Sequence, residues 1–115
     1  MKLIKIVDAL PSLQKLAKCE LGLQKLYKIS KLLDTLEDEI SFYHKQRKQI
    51  LEKYCDLVGD QYIPREEEKL NAEMSELLNM EVESQISEVT LSLEDDVKLS
   101  YNDLVALNGF VRIEE

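Results

Sequence analysis

The chain has 115 residues, 44% of them apolar, with only three Gly, two Pro and two Cys and a net charge of −8. That length fits one domain, 1–115, with a modest core, and the apolar share excludes general disorder. So little turn material argues against an all-β fold, and the longest apolar runs fall far short of the roughly 20 residues that span a bilayer.

The opening "MKLIKIVDALPSL" lacks the long apolar block and small-residue cleavage site of a signal peptide, so the expectation is a cytosolic protein without a membrane segment. "KLIKIV" has β-rich character and predicts a short strand near 2–6. "DALPSLQKLAKCE" has helical spacing at Leu10, Leu13, Leu16 and Ala17, which predicts a short helix near 8–20. Asp8 is then its N-cap, and Pro11 is tolerable only near the first turn. Gly22 separates this helix from the next.

From Leu26, apolar or aromatic residues fall at Ile29, Leu33, Leu36, Ile40, Tyr43, Ile50 and Tyr54, a 3,4 alternation broken only by Arg47. Such spacing is the seam of a helix packed on another helix, and it predicts one long helix over 23–56. Gly59 and Asp60 break the pattern. "YIPREEEKL" restarts a helix near 64–82, with Pro64 in the first turn and three glutamates at its positive end. Leu70, Met74 and Leu77 continue the seam. Folding back about residue 60 sets Ile50 opposite Leu70, Tyr43 opposite Leu77 and Arg47 near Glu73, where the guanidinium meets a carboxylate at the seam's edge.

Further on, "EVTLSLED" alternates Val89, Leu91 and Leu93 against polar residues, the pattern of a half-buried strand. Ser100 and Asp103 form an acidic capping box for the helix in "YNDLVALNG", which Asn108–Gly109 ends, and "FVRI" reads as a last short strand. The expected fold is mainly α with minor β. A long antiparallel helical hairpin is joined by a short N-terminal helix, and a small β element draws on the N-terminal segment and the C-terminal strands.

Chemistry-bearing residues do not converge. His44, in "EDEISFYHKQRKQI", has Ser41 three residues before it and Ile40 four before, so the Glu-x-x-His spacing of a carboxylate-bundle metal site fails. Glu37, Asp38 and Glu39 splay about 100° apart on a helix and cannot meet at one substrate atom. Glycine-rich phosphate loops and EF-hand spacing are missing. Cys19 and Cys55 lack CxxC or His company and read as buried or semi-buried thiols rather than a disulfide. No catalytic, cofactor-binding or metal residue is assigned, and an enzyme is not expected.

Charge is divided along the chain: residues 1–55 carry 11 Lys+Arg against 7 Asp+Glu, net +4, and residues 56–115 carry 4 against 16, net −12. Lys15, Lys18, Lys25, Lys28, Lys31, Lys45, Arg47 and Lys48 therefore meet acids within the fold or between subunits, ahead of an acidic protein partner. Nucleic acid comes last, because no basic-aromatic recognition motif accompanies them. Tyr27, Tyr43, Tyr54, Tyr62 and Tyr101 read as seam and edge residues, some at an oligomer interface. The interaction residues expected are Tyr27, Leu33, Leu36, Ile40, Tyr43, Arg47, Ile50, Leu70, Glu73, Met74 and Leu77.

Taken in order, "DALPSLQKLAKCEL", "YKISKLLDTLEDEISFYHKQRKQILEKY", "YIP", "LNAEMSELLNMEVE" and "LSYNDLVALNGFVRIEE" resemble a group of short proteins of tailed bacteriophages and prophages of Gram-positive bacteria. The resemblance spans nearly the whole chain, and its most specific parts are the Leu-Pro-x-Leu-Gln-Lys-Leu opening and the "LSYNDLVAL" end. The group's function is unknown, so the resemblance implies a phage context and no catalytic residues. It implies a protein of the host-cell cytoplasm or the virion that binds a phage or host protein, while the apolar flank left by so long a hairpin predicts a homo-oligomer. Within that context the expected role is structural or assembly accessory in head or tail building. The alternative is an acidic inhibitor of a host factor or defence nuclease.

Overall fold

A computed structural model of the chain describes residues 1–83, 85–92, 94–95 and 97–114. The first helix, α1, runs Leu3–Ala17 and takes in the segment expected as a strand. Leu3, Ile6, Ala9, Leu13 and Leu16 are spaced three or four apart and all are fully buried, so "KLIKIV" forms the first turns of one continuous apolar stripe. Asp8 is an exposed mid-helix residue, not a cap. Pro11 lies in the helix interior, where it has no N–H to give the Val7 carbonyl. All that is β-like here is an antiparallel bridge between Lys2 and Glu81, made by Leu3 N donating to Met80 O (2.8 Å) and Val82 N donating to Met1 O (2.9 Å). Burial of the stripe outweighs both the β-branched residues and the proline.

Helix α2 is the long one, Leu23–Tyr54, with Gly22 at its N-cap. Its 32 residues span about 48 Å at 1.5 Å each, close to the molecule's longest dimension of 50 Å. The chain then forms an antiparallel β-hairpin, β1 (Cys55–Val58) with β2 (Gln61–Pro64), paired Val58↔Gln61 through Cys55↔Pro64. Gly59 at the first central position has φ +62° and Asp60 is not left-handed, the pattern of a type II′ turn. Pro64 thus closes an edge strand and does not open a helix, and α3 is shorter than the spacing predicts, Glu67–Leu78.

Strand β3 (Val89–Ser92) has the half-buried alternation expected of it, although Leu93 lies outside the described residues. Helix α4 (Tyr101–Ala106) opens with the Ser100–Asp103 capping box, and β4 (Val111–Glu114) runs parallel to β3, Val89 against Val111. The small β element is therefore two separate two-stranded pairs, and the N-terminal segment joins neither.

The seam of α2 is covered within the chain. Its N-terminal half packs with α1, β3 and the α4–β4 segment around Ile29, Leu32, Leu36, Leu91, Leu107 and Phe110. Its C-terminal half packs with α3 and the start of α1 around Leu3, Ile50, Tyr54, Cys55, Leu70 and Leu77. Each fully buried Leu, Ile or Phe contributes about 1.5–3 kcal/mol of transfer free energy, so these two clusters carry the fold. Cys55 is buried, Cys19 is half-buried, and both thiols are free.

Candidate interaction surfaces

Most residues expected at the helix seam and a possible interface pack within the chain. Leu36, Ile50, Leu70 and Leu77 are core residues, and Leu33, Ile40, Tyr43 and Met74 are half-buried against the same clusters. Tyr27 alone among the expected apolar residues stays exposed, with the Lys31 ammonium 5.5 Å from its ring centre.

The expected pairing of Arg47 with Glu73 is not made. Arg47 is exposed, and Glu73 accepts hydrogen bonds from the Tyr54 hydroxyl (2.6 Å) and the Lys53 ammonium (3.2 Å). Those two donors, Tyr54 first, hold the Glu73 carboxyl below its ordinary range. Glu73 thus lies beside Lys53 and Tyr54 rather than Arg47, so the contacts fall about two turns from the fold-back register. Side chains on a helix slant toward its N-terminus. In an antiparallel pair this moves contacts about one position further along each helix, a part of the offset that counting symmetrically about a turn ignores.

Three lysines of the basic half find acids of the acidic half: Lys15 with Asp103 (2.7 Å), Lys25 with Asp95, and Lys53 with Glu73. Asp103 also accepts from the Ser12 hydroxyl (2.7 Å) and from Ser100 N (3.0 Å). Lys15 foremost, with Ser100 and Ser12, holds its carboxyl far below the usual carboxylate range. Asp95 is lowered likewise, by Lys25 and then by Ser92 N. Part of the charge division is thus internal complementarity. Lys18, Lys28, Lys31, Lys45, Arg47 and Lys48 make no ion pair among the described residues.

His44 is exposed on α2, its ring 5.4 Å from that of Tyr43. Among the described residues no three His, Cys, Asp or Glu side chains gather as metal ligands would, and no helix is long and apolar enough to cross a membrane.

Two surfaces that the spacing did not mark present apolar side chains to solvent. The first is the β1–β2 hairpin, where strand alternation puts Leu57 and Tyr62 on one face and Val58 and Ile63 on the other. Leu57 is 62% exposed, Val58 58% and Ile63 49%. Its base is fixed: Arg65 pairs with Asp56 (3.0 Å) and donates to the Lys53 carbonyl (3.1 Å), while Arg65 N donates to Tyr54 O (2.8 Å). An isolated two-stranded hairpin is marginal in water, and here the two helices carry it. "VGDQ" between apolar runs was the signal for it.

The second surface joins α4 to β4. Tyr101 (79% exposed), Leu104 and Val105 line a groove of about 400 Å³ together with Val111 and Ile113. Asp103, bonded to Ser12 and Lys15 of α1, holds α4 against that helix, and the short helix leaves these apolar residues outside.

No family model, curated protein or solved structure matches this chain.

Proposed function

We propose that this chain is a non-enzymatic protein-binding module that associates with itself and then with a phage or host protein. Its resemblance to short tailed-phage proteins makes a small structural or assembly accessory of head or tail the preferred role, working in the host-cell cytoplasm or on the virion. The observation that carries the reading is the β1–β2 hairpin, with exposed Leu57, Val58 and Ile63 spread over both faces of a projection braced by Arg65. Scattered surface apolar residues are ordinary, but several held on one braced projection are what protein interfaces bury. The long seam does not serve, because α1 and α3 already cover it.

One observation favours a second reading. Glu67, Glu68, Glu76, Glu83 and Glu88 are exposed in the half that carries net charge −12. Exposed acidic charge of that density fits an inhibitor that occupies the nucleic-acid site of a host defence nuclease.

Affinity capture from infected cells separates the two. Recovery of head or tail proteins supports the assembly role, recovery of a host nucleic-acid-binding complex supports the inhibitor, and a chain that captures neither while holding a bound metal or nucleotide contradicts both.

A further inference from the structure

We infer that two copies of this chain join through the outer edges of β4, antiparallel and centred on Ile113, to make a four-stranded sheet. The inference rests on the self-association proposed above and gives it a surface and a register.

Strand β3 lies against α2, so β4 is the outer strand of its pair. Val89 N donates to Phe110 O (2.9 Å) in the parallel register Val89↔Val111. Backbone groups alternate between the edges of a strand, so those of Arg112 face β3 while those of Val111 and Ile113 face outward. Val111 N is already taken by Leu107 O (2.9 Å). Ile113 therefore presents the outward N–H and C=O pair with no backbone partner among the described residues. Unpaired edges of this kind are templates for another strand.

Charge selects the second copy and the register. With Ile113 opposite Ile113 of the second copy, the two residues exchange both hydrogen bonds. Arg112 then stands opposite Glu114 of the second copy, and Glu114 opposite its Arg112, as close non-hydrogen-bonded pairs. Within one chain Arg112 and Glu114 already lie on the same face, 3.0 Å apart. The neighbouring register, Val111 opposite Ile113, needs the occupied Val111 N–H and brings the two Arg112 side chains together. Directly opposite residues share a face, so Ile113 of the second copy points to the side of the α4 groove, where Tyr101, Leu104 and Val105 are exposed.

Sedimentation at micromolar concentration tests this with charge exchanges. The wild-type chain is expected to be dimeric. Arg112→Glu and Glu114→Lys each replace two complementary pairs with two like-charged ones, which should weaken the dimer about tenfold or more. An equimolar mixture of the two variants restores complementarity only between chains, so it should recover the wild-type affinity. The intrachain pair, which mixing cannot repair, predicts no recovery. Ile113→Pro removes an outward N–H, so its helical circular dichroism should persist while the dimer is lost. A wild-type monomer, undiminished variants, an unrescued mixture or a dimer surviving Ile113→Pro in the folded protein overturns the inference. A wild-type dimer that these variants leave intact sinks the β4 interface alone, a monomer sinks the self-association half of the proposed function with it, and a dimer that captures no phage or host protein sinks the partner-binding half.

Discussion

Ser12 on α1 donates a 2.7 Å hydrogen bond to Asp103, the same carboxylate that closes the capping box of α4, so one side chain both starts the last helix and docks it on the first. Lys15 completes the site at 2.7 Å. Because Asp103 is held far below its ordinary range in the folded chain, its contribution to stability is complete above the unfolded carboxylate pKa, near 4, and declines as pH falls below that toward the folded value. Thermal unfolding between pH 7 and pH 2 should show this loss in the wild type and lack that component in Asp103→Asn, which starts less stable at neutral pH. Ser100→Ala, which removes the cap alone, should cost about 1 kcal/mol.

Pro11 occupies a helix interior whose apolar stripe overrides it. Pro11→Ala restores the N–H that the Val7 carbonyl lacks and disturbs no core residue, since Pro11 is exposed. Urea denaturation should show a gain on the order of 1 kcal/mol, below the roughly 3 kcal/mol propensity difference because the native helix has relaxed around the ring. A loss of stability would mean that the proline sets the helix's bend for packing.

The helix register yields a double-mutant cycle. Tyr54→Phe and Glu73→Gln should be non-additive, because they share one hydrogen bond of 2.6 Å. Arg47→Ala and Glu73→Gln should add independently, with Arg47→Ala nearly neutral at its exposed site. Coupling between positions 47 and 73 would instead restore the fold-back register.

What the sequence made legible were the features decided by near neighbours. The Ser100–Asp103 box, the alternation at Val89 and Leu91, and the 3,4 spacing of α2 each need only a few residues to be read, and each appears where expected. "KLIKIV" reads as a strand because its β-branched residues are local signals, while the stripe Leu3–Ile6–Ala9–Leu13–Leu16 needs the whole helix and a partner to bury it. Symmetric counting about residue 60 sets Arg47 against Glu73 because it omits the slant of helical side chains and the inserted β-hairpin. The seam of α2 packs on α3, the helix that the fold-back supplies, and also on α1, a partner that periodicity cannot assign. Exposure of Leu57, Val58 and Tyr101 depends on what the rest of the chain leaves uncovered.

In the proposed function the protein binds others through surface that the fold leaves apolar, with the β1–β2 hairpin foremost. Calorimetric titration of the captured phage or host protein into the wild-type chain and into Val58→Asp/Ile63→Asp tests it most directly. Both substitutions lie at exposed hairpin positions, so the helical circular dichroism should be unchanged. The account predicts affinity at least about tenfold weaker in the variant, a loss of 1.4 kcal/mol or more. Equal affinity in the two chains would contradict it.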